Sequence, residues 1–600
     1  MLAESLQISG SRVFGESVKG LKWKLDEVDQ RLVTTLVQKL DIPDILAAIL
    51  CHRGVKSVEE ANLFLNPKIK DIMPDPFLLK DMSKAADRLA QAVINREKIA
   101  IFGDYDVDGA TSTALLRRFF LSLGVDVCVY IPNRIIEGYG PNIEALKKLK
   151  DEGNSIVVTV DCGIVSFEPV KQATEYGLDI IILDHHLSNN TLPEAYAVVN
   201  PNRFDEDFPN KSLAAVGIAF LAAVAIRSKL RSLNWFKEGA EIDLLQYLDL
   251  VALGTVCDVM SLTGLNRAFV CQGLKLIGKR KNLGIAALAN ISRLEATPQS
   301  YHLGFVLGPR INAGGRVGEG VLGSDLLTTD DPVFAHQISL RLDQLNSERR
   351  AIESVILEEA IADIEKNKLH HKPILIVKGN NWHQGILGIL ASRLKERYNR
   401  PAAVISIVDN IGKGSARSID GIDLGSMLAR AKEAGILLQG GGHAMAGGFT
   451  VAVDKIDAFS EYAINTLNGA DHLFEKAKEF SIDALLTVGA ATGKLVKIIN
   501  RAAPFGSGNL QPRFALCDVI ILNVRLVGAA HMMVIVADAK SDNEIRTTLK
   551  CMLFKAKDSE LGQSIGGSVG KRVNLFGTLQ ANFNDDRRAD FIIEDLSFVN

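Results

Sequence analysis

Short apolar runs that end abruptly in acids and imidazoles dominate the first half of the chain. The run Ile99-Ala100-Ile101-Phe102 passes through Gly103 into Asp104, Asp106 and Asp108, spaced by single residues. A continuous apolar run of this length reads as a buried strand. Gly109 and the small residues Ala110 to Thr113 then open a helix. The same pattern recurs at 156–160, which ends in Asp161-Cys162-Gly163, and at 180–183, which ends in Asp184-His185-His186. A longer apolar segment, Leu244 to Val256, ends in Cys257-Asp258. With a further run at 127–131 and helical segments between, residues 76–330 predict a parallel, doubly wound sheet. Parallel strands then bring the acids and imidazoles to one sheet edge, where such folds carry their sites. Leu213 to Ile226 is apolar and Ala-rich, too short to span a bilayer, and predicts a buried helix.

The flanking segments follow other periods. In residues 1–75, Trp23, Leu25, Leu32, Val33, Leu36, Leu40, Ile45 and Leu46 recur at roughly helical spacing and predict a helical cap packed on the next domain. Residues 331–372 lack Gly, and Pro after Pro332, and are rich in helix formers. They predict one helix, capped by Asp330 or Asp331, spanning about 50 Å at 1.5 Å per residue. Residues 373–470 predict a second α/β domain: a strand at ILIVKG, a helix opened by NNWHQG, two strands (AAVISIV, GKGSARS) around a turn, and a Gly-rich loop, QGGGHAMAGG, entering a strand. Residues 478–600 contain five short β-rich segments and predict a small antiparallel, OB-like barrel.

Composition narrows the class. Six hundred residues exceed one core, and 47% hydrophobic with 23% charged residues describe a globular chain. A net charge of −3 is no global nucleic-acid signature, so any DNA path is a local basic groove. The seven cysteines are scattered with no CxxC pair, which argues against a zinc ribbon and predicts reduced thiols in a cytoplasmic protein without a membrane span.

Three carboxylates as close as Asp104, Asp106 and Asp108 repel one another, and burying unpaired charge costs several kcal/mol per group. A divalent cation resolves that conflict. Oxygen ligands with one or two imidazoles suit Mg²⁺ or Mn²⁺ better than zinc. Phosphate-binding candidates follow. Ser415 and Arg417 share one face of a predicted strand, apt for a terminal phosphate. Arg310, Asn312 and Arg316 lie in a Gly-rich stretch read as a loop. Gly440, Gly441 and Gly442 bring backbone N–H groups to an anion beside His443. Trp382 and His383 at a helix start are placed to stack on a base or contact phosphate. Gly273 to Lys279 mimics a P-loop, but Arg280 replaces its Ser/Thr and the context is helical. In the C-terminal segment Arg513, Arg525, Arg546, Lys550, Lys555, Arg587 and Arg588 interleave with Phe514, Phe554, Phe576 and Phe583, the composition of a single-strand groove.

GDYDVDG, VDCG, DHH and Asp258 together resemble the motifs of the DHH phosphoesterases, and Gly440 to His443 resembles the GGGH signature of their second domain. The resemblance implies a DHH catalytic domain at 76–330, a connecting helix at 331–372, a DHHA1-type substrate-binding domain at 373–470 and an OB-like single-strand-binding domain at 478–600. It implies two Mg²⁺ or Mn²⁺ ions: Asp161 bridging, Asp106 and Asp104 on one ion, Asp108, His185 and Asp258 on the other. His186 is implied at the scissile phosphate and Asp184 as the group orienting the imidazoles, both serving hydrolysis with Asp161. Many family members carry a His before the first acids, where this chain reads Ile101-Phe102-Gly103. Length and tail resemble the single-strand-specific exonuclease branch of the family. That implies 5′→3′ hydrolysis of single-stranded DNA in recombination and repair, with single-strand-binding protein and a RecQ-type helicase as partners. The alternatives are a DHH phosphodiesterase for short oligonucleotides or cyclic dinucleotides and, outside enzymes, a replication scaffold.

Overall fold

The computed structural model describes residues 6–7, 12–15, 17–134, 136–237, 241–476, 479–539, 547–557, 559–582, 585 and 587–599. They form two compact units, residues 72–261 with 265–477, and residues 1–71 with 262–264 and 478–600.

In the first unit, the strands Val127–Tyr130, Ile99–Gly103, Ile156–Val160, Asp179–Leu183 and Ala197–Val199 lie in that order in one fully parallel sheet. Every residue of Ile99–Gly103 and Ile156–Val160 is buried, which is why these strands read as unbroken apolar runs. Gly103 pairs with Val160 and Val160 with Leu183, so Asp104, Asp161 and Asp184 leave the sheet at one level. The apolar segment before Asp258 is not a strand. It folds as a 3₁₀ turn, Leu244–Tyr247, and the helix Leu248–Cys257, buried on nearly all sides. Thirteen residues exceed a typical buried strand, and all-round apolarity suits a core helix equally well. The RINAGGR stretch is likewise helical, within Gly308–Val317. Its glycines serve close approach: a Cβ on Gly315 would stand 2.5 Å from the Tyr105 carbonyl oxygen.

The predicted connecting helix is Pro332–Lys366, 35 residues, with Pro332 in its first turn and the Asp331 side chain accepting from the N–H groups of Val333 and Phe334. Its first half packs on the helices Leu283–Ile291 and Gly308–Val317. Its second half gives Ile356, Ala360 and Ile364 to a core shared with Leu375, Val377, Leu387 and Leu390. The second sheet runs in the order Gln439–His443, Ala446–Ala452, Ile411–Arg417, Ala402–Val408, Leu375–Asn380; only the last pair is parallel. The GGGH stretch, expected in a loop, is thus one arm of a tight hairpin. Gly442 has φ +147°, and a Cβ there would collide with the Ala446 carbonyl oxygen, so glycine is required.

In the second unit, Trp23 and Leu25 lie on the strand Lys22–Leu25, alternately exposed and buried, rather than on the expected helix. The helices Gln30–Leu40, Asp44–His52 and Val58–Leu65 follow. Val33, Leu36, Leu46 and Ile49 share a core with Leu486, Phe514, Leu516 and Val534, so this segment packs on the C-terminal barrel. The strands Arg513–Val527, His531–Asp538, Thr548–Leu553, Ala589–Phe598 and Arg572–Ala581 pair in that order, and the last returns to the first, closing a five-stranded barrel. One pair, Thr548–Leu553 with Ala589–Phe598, is parallel, a departure from the all-antiparallel expectation. Phe514 lies in the barrel core and Phe576 is buried in a separate cluster, stacked on Trp23 at 4.9 Å, so neither is a base-stacking face; Phe554 is exposed. Arg513 pairs with Glu594, Lys550 with Asp590, and Arg587 and Arg588 with Asp585, while Arg525 and Lys555 are exposed. Arg546 and Phe583 lie outside the described residues. Among the described residues no helix is long and apolar enough to cross a membrane.

The helix before Asp258 is pressed onto the helix carrying Asp108 at Gly254, where a Cβ would collide with Thr111 Oγ1 and stand 2.7 Å from Val216 Cγ1 and 2.9 Å from Asp108 Oδ1. Gly254→Ala is expected to cost about 1–3 kcal/mol by overpacking. Urea unfolding of the variant checks this; an unchanged midpoint would mean that the helices separate freely.

Candidate active site

Two elements deliver the first acids. Asp104 ends the strand Ile99–Gly103. Asp106 caps the helix Val107–Ser122, its side chain accepting from the Gly109 N–H at 3.0 Å. Asp108, in the first turn of that helix, is buried and accepts from the N–H groups of Ala215 (2.6 Å) and Val216 (3.0 Å), the N-terminus of the helix Ala215–Ser232. Asp161 follows its strand with φ +61°, and Asp258 caps the helix Leu248–Cys257.

These groups converge. Ligand atoms of Asp104, Asp106 and Asp161 lie within 4.8 Å of one another, as do those of Asp108, His185 and Asp258, and those of Asp161, His185 and His186. His185 Nε2 stands 3.2 Å from Asp161, 3.6 Å from Asp258 and 3.9 Å from Asp108. Burial, and then repulsion among the acids, pushes the carboxyls of Asp104 and Asp161 well above the usual range, Asp108 to about 7 and Asp258 to about 9. Burial and neighbouring His186 push His185 down to about 4, so its ring is neutral at pH 7. Asp104 Oδ1, Asp258 Oδ2 and His185 Nε2 are buried without a hydrogen-bond partner. Buried acceptors left unpaired cost about 1–3 kcal/mol each. A set of carboxylate oxygens with one neutral imidazole fits a hard divalent cation.

His186 differs from its neighbour. Its Nδ1 lies 2.7 Å from Asp184 Oδ1, and that bond, against the opposing effect of burial, raises it to about 9. Asp184 is fully buried and also accepts from the backbone N–H groups of His185, His186 and Ile164. The Tyr139 hydroxyl donates to the Asp161 carbonyl at 2.9 Å and lies 3.3 Å from His186 Nδ1. Asn200 and Asn202 donate to the carbonyls of His186 and His185. Sequence reasoning missed Tyr139, Asn200 and Asn202. Only the turn-forming Asn200-Pro201-Asn202 carried a signal, since Tyr139 reaches the site from a loop without periodicity.

Cationic groups gather in a second cluster. Ser415 and Arg417 project from one face of Ile411–Arg417, with Arg417 Nη1 3.3 Å from Ser415 Oγ. A cavity of about 180 Å³ is lined by Arg417, Arg316, Gly388, Ser392 and Arg393. Burial, then the neighbouring guanidinium groups of Arg134 and Arg349, lower Arg316 to about 10; burial and Arg134 lower Arg417. Arg134, also missed from sequence, stacks over the Tyr105 ring at 5.1 Å. Arg310 is elsewhere engaged, paired with Asp343 at 2.8 Å. Asn312 accepts from the Val107 N–H and so braces the helix start behind the acids. His383 caps a 3₁₀ turn through Nδ1, and Trp382 is buried core, donating to Glu359. Trp382 is therefore a packing residue, not a stacking platform. His443 reaches a cavity of about 390 Å³ beside His185 and His186.

Comparison with known proteins follows the same order along the chain. The DHH family, N-terminal domain matches residues 98–255, the DHHA1 domain residues 371–469 and the RecJ OB domain residues 482–595. The single-stranded-DNA-specific exonuclease RecJ of Bacillus subtilis (strain 168) is 35% identical, over 96% of this chain and 70% of its own length. That of Dickeya dadantii (strain 3937) is 38% identical, over 83% of this chain and 88% of its own. Among solved structures, RecJ from Thermus thermophilus in complex with Mn²⁺ superposes with a TM-score of 0.76 at 26% identity, covering 96% of this chain and 80% of that one; its Mg²⁺ complex gives 0.72. A shared domain order, together with identity above a third to curated RecJ proteins across most of the chain, establishes that this protein belongs to the RecJ branch of the DHH family.

Proposed function

We propose that this protein is a divalent-metal-dependent exonuclease that degrades single-stranded DNA from its 5′ end. The observation that carries the reading is the convergence of buried, unpartnered acceptors from distant parts of the chain: Asp104 Oδ1, Asp258 Oδ2 and His185 Nε2. In this reading Asp104, Asp106 and Asp161 hold one Mg²⁺ or Mn²⁺, and Asp161, Asp108, His185 and Asp258 hold the other. Bound there, the ions lower the pKa of a water and offset charge on the reacting phosphate.

The chain's own groups do the rest. Neutral His185 offers a lone pair rather than a competing proton. His186, kept protonated by Asp184, donates to a non-bridging oxygen of the scissile phosphate, where negative charge grows. Asp184 holds the ring orientation, while Asn200 and Asn202 fix the backbone of the histidine pair. Arg316, Ser415 and Arg417 clamp a 5′-terminal phosphate, whose charge relieves the crowding of guanidinium groups. His443, Gly441 and Gly442 line the strand's path from the facing hairpin; His383 stands beside the clamp. Arg310 and Asn312 serve as braces. Residues 76–330 act as the catalytic domain, 331–372 as the connecting helix, 373–470 as the substrate-binding domain and 478–600 as the single-strand-binding domain. Membership of the RecJ branch supports recombination and repair in the cytoplasm, beside single-strand-binding protein and a RecQ-type helicase.

Asp161→Ala is expected to reduce Mn²⁺-dependent nucleotide release from single-stranded DNA by roughly 10³-fold or more, since one carboxylate serves both ions. Digestion of 5′- and 3′-labelled 30-mers reads both the loss and the polarity. Label released first from the 3′ end, or faster turnover of dinucleotides than of the long strand, would overturn the reading.

Arg417→Ala is expected to raise KM for 5′-phosphorylated strands roughly 10- to 100-fold, the equivalent of about 1.5–3 kcal/mol for a charge-assisted contact. Strands with a 5′-hydroxyl should be nearly unaffected; an equal loss on both would place the clamp elsewhere.

Raised carboxyl pKa values give the pH dependence its sign. Asp108 and Asp258 hold protons in the folded state that the unfolded chain gives up near pH 4, so metal-free stability falls as pH rises towards about 7 and about 9. The rise in melting temperature on adding 1 mM Mn²⁺ is therefore expected to be larger at pH 8 than at pH 5, and small in Asp161→Ala. Equal gains at both pH values would contradict this.

A further inference from the structure

The turn that carries Asp258 has a backbone ill-suited to the residue that follows. The Val259 N–H bonds to the Val256 carbonyl at 3.1 Å and the Met260 N–H to the Thr255 carbonyl at 3.1 Å. This pair of bonds is the Schellman arrangement, which demands a left-handed residue directly after the cap, usually glycine. Val259 occupies that position with φ +58°. A β-branched side chain is the poorest fit to such a backbone. Among the described residues, every other non-glycine at positive φ is polar or charged. Strain of this kind is usually compensated by burial, yet Val259 is 69% exposed. Neither the turn nor the core needs the side chain, and glycine would close the same turn with less strain.

Its surroundings suggest what does need it. Val259 lines the cavity of about 390 Å³ beside His185 and His186, and so does Leu187, itself 61% exposed. Each exposed apolar side chain sits one residue beyond a group of the acid and imidazole cluster. Much of the remaining wall is polar, with Asn202, Lys211, Ser212 and His443. A nucleotide joins a charged phosphate to an apolar base face, and this cavity offers both kinds of partner.

We propose that Val259, with Leu187 beside it, is a specificity-determining contact: an unpaired nucleobase rests on it when a phosphate lies at His186. An unstacked base of any identity presents such a face, so the contact is tolerant of sequence. A base stacked within a duplex does not. Val259 would then be kept in a strained backbone for what it does to the substrate.

The inference rests on the exonuclease reading, and the wild-type arm of its test examines that reading alone. Wild-type protein, Val259→Gly and Val259→Ala are compared by melting temperature and by KM and kcat on single-stranded 30-mers. Further 30-mers carry one abasic site at each of the first four 5′ positions. Val259→Gly is expected to melt roughly 1–3 °C higher, by relief of strain, and to show KM raised about 3- to 10-fold with kcat little changed. Val259→Ala keeps the strained backbone and should show the KM rise without the thermal gain. At one abasic position the wild-type KM should rise comparably, and the variant and the abasic site together should cost no more than either alone. Wild-type KM in both variants, losses that multiply at every position, or a lower melting temperature for Val259→Gly would each overturn the proposal. A wild-type protein inert on single-stranded DNA would instead remove the nuclease reading.

Discussion

Like charges buried together are the condition that the rest of this structure satisfies. Asp104, Asp161 and Asp184 leave a parallel sheet at one level because their strands pair in register. Asp108 and Asp258 arrive beside them from two helices packed face to face at Gly254. Such a cluster is tolerable only with compensating groups. Asp108 finds two backbone N–H groups at a helix start, Asp184 finds three and a protonated imidazole, and several remaining atoms find none. The unsatisfied remainder defines the site chemically: oxygen donors and one neutral imidazole, the donor set of a hard cation.

The arginine cluster is the complementary case. Burial and the neighbouring Arg134 lower the basicity of Arg316 and Arg417, and Gly388 leaves room for Ser415 and Arg417, since a Cβ there would stand 2.8 Å from Arg417 Nη2 and 3.2 Å from Ser415 Oγ. The helix Pro332–Lys366 belongs at once to the packing of the first domain and to the core of the second. A single rigid element thereby fixes the facing walls of the cavity that His186 and His443 share. Function and stability are opposed at Val259, where the backbone favours glycine, and aligned at Gly442, where nothing larger fits.

In the second unit, the side chains that read as a nucleic-acid surface divide between packing and exposure. Phe514 fills the barrel, Phe576 stacks on Trp23, and Arg513, Lys550, Arg587 and Arg588 face carboxylates. Period-2 alternation states that one face of a strand is buried; it does not say which phenylalanine lies on it. Arg525, Lys555 and Phe554 are exposed on this surface, as are Arg587 and Arg588 beside Asp585.

Local signals along the chain were enough for the parallel sheet, the long capped helix and the set of acids and imidazoles past the apolar runs. A buried strand is apolar throughout, a 35-residue stretch without glycine has one good conformation, and a strand's end is where its polar residues begin. Long-range packing settled the rest. It made the segment before Asp258 a helix, turned the Gly-rich stretches into a hairpin arm and a packed helix, and set the N-terminal helices on the barrel. It separated Arg316 from Arg310, drew in Arg134 and Tyr139 from a loop without periodicity, and spent Trp382 on the core. Those outcomes depend on which surfaces meet across hundreds of residues, and no local pattern of hydrophobicity encodes a distant partner.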